Sequence, residues 1–285
     1  MHKISLPLFY YNFKFNNFLY RYIKNNPESK KFDYTIVSNF GSYPFTYFNG
    51  DINSNTGKLA LNSDFYNIPN SNQVVLKYDF SNIFLEDLDF NSVHENTILK
   101  MGENGSNQIE ISNLKLMSYL KKEYPIYNFC FSSRADLIQP FTAEIINCII
   151  EQNIFDSIVL PGYLNDEEWL KEIKQKNKIE IIIANKCKLC SANQNKECLI
   201  QENRNQIDFS GKSKYQKCFN IKNYQNSSND EILSEIIKMN KKGFTNFKID
   251  SPPYNQIAEF NFFIIKNLIK EEYQVNFIQE FERIK

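Results

Sequence analysis

Short runs of β-branched and aromatic residues alternate along this chain with stretches in which apolar residues recur every three or four positions. Seven runs read as strands: YTIVSN (34–39), VVLKYDF (74–80), QIEIS (108–112), NFCFSS (128–133), DSIVLP (156–161), IEIIIA (179–184) and NFKID (246–250). Several are continuously apolar at their centres, which predicts parallel strands covered on both faces. Helices fit between them. Leu114, Leu116, Met117 and Leu120 repeat at helical spacing over about 113–123, and Pro140 opens a second helix through Ile145, Ile146 and Ile149. A third follows Asn165 and Asp166 as cap and carries Trp169, Leu170 and Ile173. A fourth starts near Ser228, shows Ile232, Leu233, Ile236 and Ile237, and ends at Gly243, a glycine suited to the position after a helix. The last runs from about 255 to 270. Near the N-terminus Phe15, Phe18, Leu19 and Tyr22 predict an amphipathic helix.

Strands alternating with helices mean βαβ units and a parallel sheet. No GxGxxG follows the first strand and no Walker motif appears, so a nucleotide-binding Rossmann reading has no support. The length of 285 residues suits a TIM-type (β/α) barrel, irregular or incomplete, with a cysteine-containing insertion after the sixth strand. The organisation read from this is an N-terminal helical segment (1–32) packed on a barrel (33–285) with a cysteine-rich loop at 185–227.

Composition narrows the function. Hydrophobic residues make up 42%, an ordinary globular share, and the net charge is zero, so a strong nucleic-acid field is not expected from the total. No run of 18 apolar residues predicts a membrane span. The aromatic N-terminus is broken by Asn and Lys and lacks a small-residue cleavage site, so no signal peptide is predicted and a cytoplasmic, reducing setting is expected. A helix lying on a membrane surface is the sharper alternative for that segment.

In a reducing compartment, clustered cysteines are more often metal ligands than disulfides. Cys187 and Cys190 form a CxxC pair, Cys198 follows, and Cys218 completes four thiols within 32 residues of polar chain. The short spacing lets two sulfurs meet one ion from a single turn, and the longer loops let the others reach back. Tetrahedral zinc and an iron–sulfur cluster both accept this set, and spacing alone does not choose between them. Lys186, Lys188, Lys196 and Lys217 beside the sulfurs would offset thiolate charge. A thioredoxin-like reading fits less well, because the polar CSANQNKEC continuation does not resemble a redox helix. Cys130 and Cys148 sit in apolar surroundings and read as core.

Other engines are hard to assemble. His2 and His94 are the only histidines, and no HExxH or GxSxG occurs. Polar residues at strand ends are the substrate-pocket candidates: Asn39, Asp79, Asn82, Ser132, Asn185 and Asp250. Each has the plainer alternative of capping a helix or forming a turn. Lys212, Lys214 and Lys217 with Tyr215 and Phe219 would supply a basic, aromatic-flanked RNA surface; a solvated loop is the plainer alternative.

The order of motifs carries a resemblance. YFNGD (47–51), FSNIFLEDL (80–88) with Asn96, QIEISN and LMSYLKKEYPIYNFCFSS within 108–133, SIVLPGYLND (157–166), IEIIIANKCKLC (179–190) and GFTNFKID (243–250) follow one another over roughly 33–270. In this the chain resembles the TIM-barrel superfamily of collagenase-like peptidases (U32-type), in a branch related to its iron–sulfur proteins. The resemblance implies a [4Fe–4S] cluster on Cys187, Cys190, Cys198 and Cys218. It also implies a role in oxygen-independent hydroxylation or a related modification of a small molecule or an RNA, and a protein partner in some members. The chain departs from that pattern at Ser191, where relatives carry Pro, in having no histidine soon after. It also departs at Asn49-Gly50-Asp51, which lacks the arginine of a Gly-Gly-Arg-like step. It offers no protease engine, so peptidase activity is not expected.

Overall fold

Within each strand, alternate residues face different worlds. In β3 (Val75–Phe80), Leu76, Tyr78 and Phe80 are buried in the hydrophobic core, whereas Lys77 and Asp79 between them are charged. The same alternation runs through β4 (Gln108–Ile111), β5 (Asn128–Phe131), β7 (Ile179–Ile183) and β8 (Asn246–Ile249), where Ile109, Phe129, Ile181 and Phe247 join the core. With a side-chain period of two, one face of such strands must pack against helices while the other gathers the polar residues.

The computed structural model describes residues 2–6, 13–42, 74–80, 90–91, 93–133, 140–183, 229–249 and 257–284. With β1 (His2–Leu6), β2 (Tyr34–Ser42) and β6 (Ser157–Leu160), the strands form a closed barrel in sequence order, and every pairing is parallel. This is a (β/α) TIM-type barrel. It is complete, with eight strands: β1 pairs with both β2 and β8 and closes the ring. Sequence reading assigned residues 1–32 to a helical segment packed on the barrel. The helix is present as α1 (Phe13–Asn25), but the five residues His2–Leu6 are barrel wall. The cysteine-containing stretch therefore follows the seventh strand. A register shift between Asn39 and Ser42 marks a bulge in the β2–β3 ladder.

The helices are α2 (Val93–Met101), α3 (Leu114–Glu123), α4 (Ala143–Glu151), α5 (Asn229–Lys241), α6 (Ile257–Leu268) and α7 (Glu271–Glu282). Asn113 caps α3 by accepting from Lys115 N and Leu116 N, and Thr142 caps α4 by accepting from Ile145 N. Gly243, two residues past α5, has φ +94°, the left-handed conformation expected of a glycine there. The predicted helix over Trp169 and Leu170 is instead a 3₁₀ segment, Glu168–Glu172. Its five residues bury Leu170 and then extend at Ile173, too short a path for α-helical turns. α1 packs on α6 and α7 through aromatic rings; Phe262 stacks on Phe281 at 4.1 Å and on Phe277 at 5.1 Å between centroids. Among the described residues no helix is long and apolar enough to cross a membrane.

Candidate functional site: a charged barrel lumen

TIM-barrel interiors are usually filled by layers of branched apolar side chains. This one is filled largely by polar groups. The pairing register sets Ser5, Lys77, Cys130 and Glu180 at one level, one from each odd-numbered strand. Glu110, Val159 and Lys248 lie one level nearer the C-terminal ends, on β4, β6 and β8, and Asp79 and Ser132 come above them. The inward residues are mostly the polar half of the alternation described above, so the expectation of strands apolar on both faces is corrected: the outer face is apolar, and the inner face is largely polar with Val159 among its residues.

Charges meet across this lumen. Lys77 of β3 donates to Glu180 of β7, on the opposite side of the ring, and its ammonium is 3.6 Å from Glu110. Ser5 of β1 donates its hydroxyl to the other Glu180 oxygen. Lys248 of β8 donates to Glu110 Oε2 at 2.6 Å, again between opposite strands, and lies 3.9 Å from Asp79. Ser132 Oγ donates to Glu110 Oε1 at 2.9 Å. The signs alternate from the deep wall to the rim: Glu180, Lys77, Glu110, Lys248, Asp79. Burial rises inward along the same path, from Asp79 at 21% side-chain exposure and Lys248 at 13% to Lys77 at 0%.

Removing charges from water is costly, and a buried pair survives only where partners and hydrogen bonds are in place. The protonation states follow. Burial pushes the Glu110 carboxyl up, but Lys248, Lys77 and the hydrogen bonds from Lys248 and Ser132 outweigh it and hold the pKa at about 2. Burial pushes Lys77 and Lys248 down, and the facing carboxylates, Glu180 for Lys77 and Glu110 for Lys248, raise both above the ordinary lysine value. Both lysines are therefore fixed cations. Cys130 is a buried thiol that accepts from Ser157 Oγ at 3.0 Å and faces Gln108 Oε1 at 3.6 Å; burial raises its pKa, so it is kept neutral.

Of the pocket residues read from sequence, the structure brings Asp79 and Ser132 together through Glu110 and Lys248. Asn39 lies on β2, in register with Lys77. Asn82, Asn185 and Asp250, the four cysteines Cys187, Cys190, Cys198 and Cys218, and the basic stretch from Lys212 to Phe219 lie outside the described residues. Among the described residues no group of three or more His, Cys, Asp or Glu is arranged to hold a metal ion. Cys130 is buried as expected, though in the polar lumen rather than among apolar side chains, and Cys148 is exposed. On α4 the buried face is Ala143, Ile146 and Ile150, and position 148 falls on the other side of the helix.

Sequence reading missed Lys77, Glu110, Glu180 and Lys248. Their signal was present: each is a charge at an inner position of a strand whose flanking residues are apolar and buried.

A scan against protein-family models matches none, and a search of curated proteins finds no similar sequence.

Proposed function

We propose that this chain is an iron–sulfur barrel protein whose cluster, held by Cys187, Cys190, Cys198 and Cys218, stands over the C-terminal mouth of the lumen. Substrate would bind between the two. The observation that carries this reading is the charged network ending at the mouth in Lys248 and Asp79, on the face where (β/α) barrels carry their sites. A packed apolar interior would have sufficed for stability, and charges of both signs along the axis suit a site that handles a polar group. The first cysteine follows Ile183, the last residue of β7, by four positions, so the ligand set belongs to the chain leaving that same end.

Four thiolates match the donor set of a cubane cluster, and such a cluster would supply electron transfer when bound. By resemblance, the reaction class is an oxygen-independent hydroxylation or related modification of a small molecule or RNA in the reducing cytoplasm, with a protein partner as in some relatives. The lumen residues have their own tasks. Glu110, itself held by the Ser132 hydroxyl, keeps Lys248 in place and charged, and Lys248 and Asp79 stand at the rim.

A second reading keeps the four thiols as a structural zinc site in a non-catalytic binding protein. Anaerobic purification with an absorbance spectrum and iron, sulfide and zinc analysis separates the two. A brown protein with about four irons per chain, lost in Cys187→Ala, supports the cluster. A colourless protein with one zinc supports the staple and sinks the redox reading.

A further inference from the structure

The end of the barrel opposite the mouth carries an excess of positive charge. The turns that lead into β5, β6, β7 and β8 lie side by side there, because these strands are parallel and neighbours in the ring. Over residues 121–128, 151–157, 174–179 and 241–246 stand seven lysines against three carboxylates. Those carboxylates are engaged: Glu123 with Lys122, Glu151 with Lys174, and Asp156 with the Phe129 amide. Lys121, Lys176, Lys178, Lys241 and Lys242 are the surplus, in a chain whose net charge is zero.

Three of these ammonium groups are held in place by neutral oxygens. Lys121 donates to the Ile154 carbonyl, Lys176 to the Lys242 carbonyl at 2.8 Å and Lys178 to Asn153 Oδ1 at 2.9 Å. Lys121 and Lys176 also stand over the rings of Phe129 and Phe244, at 5.4 and 5.5 Å from the centroids. Such partners fix an ammonium without cancelling its charge. Helix dipoles account for the lysines in the last turns of α3 and α5. They do not account for Lys174, Lys176 and Lys178, which enter β7 from a connection of short 3₁₀ turns.

Two apolar side chains project from the same face. Ile126 is 49% exposed in the turn before β5, and Ile154 is 37% exposed in the turn before β6. The bond from Lys121 to the Ile154 carbonyl joins the end of α3 to the second turn. Isoleucines ringed by lysines suit a surface that is anionic outside and apolar just beneath. Single-stranded RNA would call for exposed rings on which bases stack. Among the described residues every exposed large hydrophobic side chain is aliphatic.

We propose that the barrel end around Ile126 and Ile154 docks on an anionic lipid bilayer, with the two isoleucines entering the headgroup boundary and the lysines facing anionic lipids. The parallel strands then point the mouth away from the bilayer. The inference is independent of what the cysteines hold.

The test is co-sedimentation of the full chain with vesicles of phosphatidylcholine, alone or mixed with phosphatidylserine, each variant being checked for folding by its thermal midpoint. Wild type should bind the mixed vesicles, bind the neutral ones about tenfold more weakly or not at all, and dissociate as salt is raised. Lys121→Gln with Lys178→Gln should weaken binding about tenfold, while Lys121→Arg with Lys178→Arg should bind as wild type does. Ile126→Ser with Ile154→Ser should also weaken it about tenfold, and Val275→Ser, on α7, should leave it unchanged. Folded wild type that binds neither vesicle overturns the proposal, as does equal binding to both or affinity unchanged by the lysine and isoleucine double substitutions. Salt-sensitive retention on polyuridylic acid without vesicle binding would overturn it in favour of a nucleic-acid surface.

Discussion

Lys77 and Glu180 lie 103 residues apart in sequence and meet across the axis of the barrel, joining strands on opposite sides of the ring. Lys248 and Glu110 repeat the arrangement one level up. Two crossed ion pairs thus take the place of the branched apolar layers that usually fill such a barrel.

A buried pair of this kind is weak support for stability as a whole, but breaking it is expensive because it strands a charge. Lys77→Met leaves Glu180 and Glu110 facing each other without their shared cation. The expected loss is about 3–5 kcal/mol in urea unfolding. Adding Glu180→Gln to Lys77→Met should recover part of that loss, as a double-mutant cycle would show. Additive effects would mean that the two groups do not interact.

The Glu110 carboxyl is held at about 2, below its ordinary 4.5. A lowered folded-state pKa gives stability that is fully present above the unfolded value and is lost as pH falls through the folded one. Stability should therefore begin to fall below pH 4.5 and lose on the order of 3 kcal/mol from this group by pH 2. Glu110→Gln should flatten that limb. The two lysines have raised values, so their contribution is complete below the ordinary lysine pKa and is lost only at strongly alkaline pH. Unfolding curves collected against pH on both proteins check this.

Gly102 lies against Tyr78 and Tyr127. A Cβ there would overlap the Tyr78 hydroxyl and stand 2.8 Å from its Cζ and 3.1 Å from the Tyr127 hydroxyl. Gly102→Ala should destabilise by about 1–3 kcal/mol through overpacking. Tyr78→Phe in the same chain should restore part of the loss, read as a shift in thermal midpoint.

The two cysteines outside the cluster stretch should differ in reactivity. Cys148 is exposed on α4, whereas Cys130 is inside the lumen with its thiol pKa pushed up by burial. In the native protein a thiol reagent should modify Cys148 quickly and Cys130 only on unfolding. Cys148→Ser should remove that fast modification, which peptide mapping would assign.

The outer half of the fold was legible in sequence because it obeys local rules. Apolar residues at periods of two and 3.6 mark the strands and helices, Asn113 acts as a cap, and Gly243 ends a helix. β1 was not legible: HKISL is five residues long, and its pairing partners, from Tyr34 on β2 and Asn246 on β8, are remote in sequence. The lumen network was half legible. Asp79 and Ser132 stood out at strand ends, but Lys77 and Glu110 look like ordinary solvent-facing charges until the ring closes and turns that face inward. Cys148 was misread because IINCII looks apolar as a string, whereas helical geometry puts its neighbours in and the thiol out.

The central claim joins two parts of the chain, a cluster on the cysteines and a charged mouth beneath it. The direct test is the cluster's reduction potential in wild type, in Lys248→Met with Glu110→Met, in Lys248→Arg, and in Lys178→Met, at the opposite end of the barrel beside β7. A cation near the cluster stabilises its reduced form. Because Lys248 lies nearer the mouth than Glu110, losing the pair should lower the potential, whereas Lys248→Arg, which keeps the charge, and Lys178→Met should leave it at the wild-type value. Equal potentials in all four proteins, or a protein that carries no iron, would contradict the account.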